Sequence, residues 1–201
     1  MMKMIEIENI SQSQPYSIFH FYYQEALRYR SNGLDAMLVA SMDTKKNEVD
    51  ARYVNLKCID DESWVFFTNY NSPKSKQFSL HNQIAIVFYW DCINVQIRLK
   101  AKIKQTSLRY NQKYFASRSI KKNALSISSS QSMPIKSYED VKDNYNKSLK
   151  FDNLRKCPEF WGGYSFTPYY FEFWEGHSSR LNKRDVYEKN DNSWKHLILQ
   201  P

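Results

Sequence analysis

The residues of this chain best suited to chemistry are its cations. Among 201 residues there are 29 Lys and Arg against 21 Asp and Glu, a formal charge of +8. They are spread along the whole length, without a run of five or more, which favours a solvated basic surface over a nucleic-acid groove. Arg offers a bidentate fork to phosphate and Lys a point charge, so part of the excess can serve an anionic small ligand. Side chains must do most of that holding. The glycines are Gly33, Gly162, Gly163 and Gly176, and neither a dinucleotide-binding G-x-G-x-x-G nor a phosphate-cradling P-loop can be written with them. Metal chemistry is not expected, because His20, His81, His177 and His196 are isolated and no C-x-x-C occurs. Cys58, Cys92 and Cys157 are odd in number and widely spaced, as expected of reduced thiols in a cytoplasmic protein. No segment has the apolar length of a membrane span, and Met1–Ile10 lacks the apolar run of a signal peptide, so no membrane partner is expected.

These residues need a scaffold, and the apolar pattern supplies one. An amino-terminal helix is expected over about 15–31, with Pro15 near its start. Strands follow at Ala36–Ser41, Arg52–Ile59, Ser63–Thr68 and Ile84–Trp90, with a short helix over Lys74–Asn82. In Ile93–Ile103 the alternation is strict. Val95, Ile97, Leu99, Ala101 and Ile103 share one face; Gln96, Arg98, Lys100 and Lys102 share the other. Helices are expected over Ser107–Arg118 and from Ser137 to about Phe151, with Ser126–Ser132 a loop between them. Four aromatic strands close the chain, at Gly163–Thr167, Tyr169–Trp174, Arg180–Tyr187 and Ser193–Leu199. Many short strands in hairpin order with a few peripheral helices make a β-rich α+β fold, an antiparallel barrel over about 35–201. The whole chain, 1–201, is expected to form a single domain.

Several segments, read in order, carry a further signal. They are Arg52-Tyr53-Val54-Asn55-Leu56-Lys57, Phe66-Phe67-Thr68-Asn69 with Ser72-Pro73-Lys74, Gln96, Lys113-Tyr114-Phe115-Ala116-Ser117-Arg118 and Gln131-Ser132. Then come Phe160-Trp161-Gly162-Gly163-Tyr164, Glu172-Phe173-Trp174 and Arg180-Leu181-Asn182-Lys183-Arg184. Each alone reads equally well as strand surface or core. Together, in this order, they resemble the pyridoxamine 5′-phosphate oxidase family of FMN-dependent split-barrel proteins.

The resemblance implies an FMN-binding split β-barrel and a homodimer with FMN at the subunit interface. It implies an oxidase that turns pyridoxamine or pyridoxine 5′-phosphate into pyridoxal 5′-phosphate, with dioxygen as acceptor and peroxide as product. The implied FMN residues are Arg52, Tyr53, Val54, Asn55, Leu56, Lys57, Phe67, Thr68, Lys74, Gln96, Gln131, Ser132, Trp174 and Arg184. Of these, Arg52 and Lys74 would hold the phosphate, and Arg184 would set positive charge near the flavin's pyrimidine edge. Lys57, Tyr114, Arg118 and Lys122 would clamp a substrate phosphate. Arg180 and Asn182, two apart on one side of a strand, would flank the substrate ring as the catalytic pair.

The chain also departs from the family's pattern. Pro73 stands where an Arg is usual, Lys122 where a small Ser is usual, and Asn182 and Lys183 where His and Asp are usual. Asn keeps a hydrogen bond but cannot become a cation. Two alternatives therefore remain open at the level of sequence: a related FMN-dependent oxidoreductase with another substrate, phenazine-precursor-like, or a non-catalytic FMN or pyridoxal phosphate binder.

Overall fold

The computed structural model describes residues 5–29, 32–151 and 153–201. The amino-terminal helix α1 (Gln14–Arg28) begins one residue before Pro15, and positions 30 and 31 of its expected span lie outside the described residues. Its inner face carries Tyr16, Phe19, Tyr23 and Ala26, all buried. Phe19 packs 4.4 Å from Trp64 and 5.6 Å from Phe88, ring centre to ring centre, while Tyr16 meets Phe171 at 5.0 Å. Each such side chain contributes about 1.5–3 kcal/mol through apolar burial. This helix thus lies on the core of the sheet rather than beside it.

The strands are β1 (Glu6–Ile7), β2 (Ala36–Asp43), β3 (Glu48–Asn55), β4 (Cys58–Asp60) and β5 (Ser63–Asn69). They continue with β6 (Gln83–Trp90), β7 (Val95–Gln105), β8 (Trp161–Glu175), β9 (Lys183–Asn190) and β10 (Ser193–Ile198). Hydrogen bonding joins them in the order β1-β4-β5-β8-β7-β6-β2-β3, with β9 added on β8 and β10 on β9. Only the β1–β4 pair is parallel among the described residues; the rest is antiparallel. The strict alternation expected along β7 is present: Val95, Ile97, Leu99, Ala101 and Ile103 are buried.

Four expectations need correction. First, Arg52–Ile59 is two strands, not one. β3 pairs with β2, β4 pairs with β5, and Leu56-Lys57 carries the chain between them. The Leu56 amide donates to Asp35 O and the Lys57 amide to Val65 O, both at 2.8 Å. The change of partner carries the chain from the β3 end of the strand order towards its other end. Second, β8 is one strand of 15 residues where two were expected. Pro168 has no amide to offer, but a bulge takes up the defect, because Ala101 pairs with Pro168 and Lys100 with Tyr170, leaving Tyr169 as the extra residue. Third, β9 starts at Lys183, so Arg180 and Asn182 lie in the loop before it and not on a strand. Arg180 has a left-handed backbone, φ 63°, and its amide donates to His177 O. Fourth, residues expected to be loop are partly helix α4 (Ile120–Ser128). It is pinned by the buried Asn123 amide, which donates to Phe115 O at 2.9 Å and to Leu154 O at 2.8 Å.

The other helices are α2 (Pro73–Leu80), α3 (Leu108–Ser117) and α5 (Tyr138–Phe151). Pro73 opens α2, where its missing amide costs nothing. Ser107 caps α3 by accepting from the Tyr110 amide. No helix among the described residues is long and apolar enough to cross a membrane. Cys58, Cys92 and Cys157 are free thiols.

Candidate active site

A cavity of about 770 Å³ opens where β3, β5, α2, α3 and the loop after α4 meet. Arg52, Lys57, Lys74, Arg118 and Lys122 line it, and Glu6 is the carboxylate that lines it.

Arg52 enters from the edge strand β3, opposite Val39 of β2. Its Nη1 donates to Ser41 Oγ at 2.7 Å; its Nη2 donates to Gln77 Oε1 at 3.1 Å and pairs with Asp50. Lys74, at the first turn of α2, is buried, and its ammonium donates to Gln131 Oε1 at 2.9 Å and Ser72 Oγ at 3.2 Å. Burial, and then the nearby Arg52 guanidinium, lower Lys74 from 10.5 to about 8. Thr68 Oγ1 also donates to Gln131 Oε1, at 3.0 Å. Two cations, Arg52 and Lys74, and one neutral donor, Thr68, thus converge on one wall, and the amide of Gln131 stands among them. Such a set accepts a phosphate.

A second group comes from α3 and its neighbours. The rings of Phe67 and Tyr114 are stacked at 3.8 Å and 5°, and Trp161 continues the stack at 5.1 Å and 7° from Phe67. The Arg118 guanidinium lies 4.5 Å above Trp161, and its Nη1 donates to Ser126 Oγ at 3.1 Å. Burial pushes the Tyr114 phenol up and works against the charge on Arg118. Tyr114 and Arg118 are four residues apart and both line the cavity, Tyr114 from α3 and Arg118 from its C-cap, where the backbone has already turned extended, so they do not share a helix face as expected.

What docks α3 here is the Gly162-Gly163 pair. Asn111 of α3 accepts from the Gly163 amide at 2.9 Å and donates to the Tyr70 hydroxyl at 3.0 Å. Tyr70 and Thr106 hydroxyls both donate to Gly163 O at 3.0 Å. A Cβ on Gly162 would overlap the Tyr70 hydroxyl and the Asn111 amide, so the close approach requires glycine.

Tyr53, Val54, Asn55, Phe67, Thr68, Gln131 and Ser132 line the same cavity. Leu56 does not: its side chain is fully buried in the core. Gln96, Trp174, Arg184, Arg180 and Asn182 do not line it either. Gln96 of β7, Trp174 of β8 and Arg184 of β9 instead form a transverse row across three strands, each directly opposite the next. Arg184 is not a lone cation, because the buried Glu172 carboxylate binds it and Arg98 together. Asn182 Oδ1 accepts from the His177 amide at 3.0 Å and so shapes the loop.

Sequence reasoning missed Glu6, Asn69, Leu125, Ser126, Ser129 and Trp161 as lining residues. Trp161 carried a signal, since it adjoins the glycine pair. Ser126 and Ser129 carried none beyond a serine-rich stretch, and only the packing of α4 brings them in.

The fold is a split barrel, and its cavity gathers five cations beside a stacked aromatic wall. The comparisons with known proteins agree. A family model described as pyridoxamine 5′-phosphate oxidase matches residues 23–145, and one for the pyridoxine 5′-phosphate oxidase C-terminal dimerisation region matches 161–201. The chain is 35% identical over 190 residues to a pyridoxine/pyridoxamine 5′-phosphate oxidase of Coxiella burnetii, covering 94% of this chain and 96% of that one. PhzG from Burkholderia lata, solved with tetrahydrophenazine-1-carboxylic acid, superposes with a TM-score of 0.87 at 26% identity, over 94% of this chain and 93% of its own. A pyridoxamine 5′-phosphate oxidase-related, FMN-binding protein from Nostoc punctiforme shares the fold, with a TM-score of 0.75 at 12% identity over 91% and 97%. The chain belongs to the pyridoxamine 5′-phosphate oxidase family.

Proposed function

We propose that this protein is an FMN-dependent oxidase of vitamin B6 phosphates, converting pyridoxine or pyridoxamine 5′-phosphate to pyridoxal 5′-phosphate. The observation that carries the reading is one cavity with five cationic side chains around a stacked aromatic wall, enough to hold two phosphates and flat rings. The donor set fits FMN: Arg52 and Lys74 would take its phosphate, with Thr68, Gln131 and Ser132 adding neutral contacts. Lys57, Tyr114, Arg118 and Lys122 would take the substrate phosphate, and the Arg118–Trp161 stack keeps that guanidinium in one plane. When bound, FMN supplies two-electron chemistry, taking a hydride equivalent from the substrate and yielding peroxide from dioxygen. The amine substrate also consumes water and releases ammonia; the alcohol does neither. The chain's own work is orientation and charge.

The reading also assigns a homodimer. The row Gln96-Trp174-Arg184 does not line its own chain's cavity, and a second copy would bring it to FMN. The match to a dimerisation region over 161–201 supports this, since Trp174 and Arg184 fall within it. Arg180 and Asn182, in the same region, would flank the substrate ring. Free thiols suit a cytoplasmic setting.

The test is direct. FMN-loaded protein incubated in air with pyridoxine 5′-phosphate should form pyridoxal 5′-phosphate and peroxide in equal amounts. No turnover from pH 6 to 9 overturns the reading. A second reading, a different ring-bearing substrate, is favoured by Asn182 and by the likeness to PhzG. It predicts turnover of reduced tricyclic carboxylates and none of B6 phosphates.

A further inference from the structure

We propose that Asp35 is a positioning residue for the substrate phosphate, acting through Lys57 from behind the cavity wall; this rests on the function proposed above. Asp35 is the residue before β2, following the turn that Gly33 makes at φ 78°. Its side chain is 3% exposed and does not line the cavity. One of its oxygens, Oδ2, accepts from Lys57 Nζ at 2.6 Å and from Asn55 Nδ2 at 2.8 Å. Both of those side chains do line the cavity. The carboxylate therefore holds two wall residues at once.

The backbone reinforces the arrangement. Asp35 O accepts from the Leu56 amide, the Lys57 amide donates to Val65 O, and Lys57 O accepts from the Glu6 amide at 3.0 Å. Lys57 is thus fixed at both ends, by main-chain bonds where β3 passes into β4 and by Asp35 at its ammonium. A lysine on a four-carbon stem is otherwise a mobile point charge, and ordering it on binding weakens affinity. Here that ordering is done in advance. One of the three ammonium donors is used on Asp35, and two remain for the cavity. A neutral amide at position 35 would leave Lys57 free to swing, with Arg118 and Lys122 lining the same cavity and repelling it.

The test reads binding apart from turnover. Pyridoxal 5′-phosphate is titrated calorimetrically into FMN-loaded wild type, Asp35→Asn, Lys57→Gln and the double variant, with flavin content measured by absorbance. Asp35→Asn should weaken binding about tenfold, with flavin content unchanged. For pyridoxine 5′-phosphate, KM should rise by a similar factor while kcat stays within about twofold. In the Lys57→Gln background the same substitution should change affinity by less than about twofold, because the effect runs through Lys57. Asp35→Glu keeps the charge and should recover part of the loss, which covers the case in which the Asn variant folds poorly. Wild-type affinity in Asp35→Asn, or the same tenfold loss with Lys57 already gone, overturns the inference. Wild type that binds no pyridoxal 5′-phosphate overturns the function reading instead.

Discussion

Glu172 holds Arg184 through a single oxygen, which accepts from Arg184 Nε at 2.9 Å and from Nη2 at 2.7 Å. Its other oxygen accepts from Arg98 at 2.7 Å and from the Tyr170 hydroxyl at 2.9 Å. The guanidinium is locked in plane beside Trp174, and the cluster of two arginines and one carboxylate keeps a net positive charge. The Glu172→Gln variant should lose about 2 kcal/mol of stability, seen as a melting temperature roughly 4–8 °C lower. Its FMN affinity should fall as Arg184 loosens. An unchanged flavin affinity beside a lowered melting temperature would show that Arg184 does not act on the cofactor.

The row and the cavity are expected to belong to different chains of one FMN site. Co-expression of an Arg52→Ala/Lys74→Ala chain with a Gln96→Ala/Arg184→Ala chain should restore flavin binding that neither has alone. With random pairing, about a quarter of the wild-type number of sites should return. No recovery in isolated mixed dimers would place both groups on one chain's site.

Lys74 is expected to give the proposed cofactor site a pH dependence. Its folded value of about 8 lies below the 10.5 of the free side chain, so unfolding takes up a proton between these limits. Stability of the FMN-free protein should therefore rise with pH through that window as far as this group contributes. FMN affinity should move the opposite way. Above about 8 the ammonium is lost and the phosphate has one cation fewer, approaching a tenfold weakening per pH unit. Fluorescence titrations of the FMN-free protein from pH 7 to 10 measure this. A Lys74→Met variant should show neither dependence, and an unaltered slope there would assign it to another group.

Gly162→Ala tests how α3 is seated. The new methyl must displace the Tyr70 hydroxyl or Asn111, at about 2 kcal/mol, which lowers the melting temperature by roughly 4–8 °C. Because Tyr114 rides on α3 and Arg118 follows at its C-cap, KM for the substrate should rise more than FMN affinity falls. Equal losses in both would mean that the whole cavity, and not α3 alone, had shifted.

Much of this was legible in the chain itself. The alternation along β7 announced its own buried face, because period is a local property, whereas the helix expected to run through Arg118 ends at Ser117 and leaves Arg118 as its extended C-cap. Cations gathered from distant segments could be named only through the resemblance, since nothing in Arg52 or Lys74 alone says that they share a wall. Three features stayed hidden for physical reasons. Pro168 looked like a strand break because a bulge that rescues it depends on β7. Asp35 carried no signal of its own, because its partners lie 20 and 22 residues away. Helix α4 was masked by serines, and its anchor is a buried Asn123 that bonds to two separate carbonyls.

Strand β8 begins at Trp161, in the cavity wall, and reaches Trp174, in the transverse row, with Pro168 between them. On the homodimer reading it would act as a ruler between two half-sites, at most about 43 Å long for thirteen extended steps. Any length change between the two tryptophans alters more than the local pairing. Removal of one residue turns the row's side chains to the opposite face and shortens the reach at once. The bulge at Tyr169 is part of that length, so a deletion there is expected to disturb flavin binding more than a substitution at the same position.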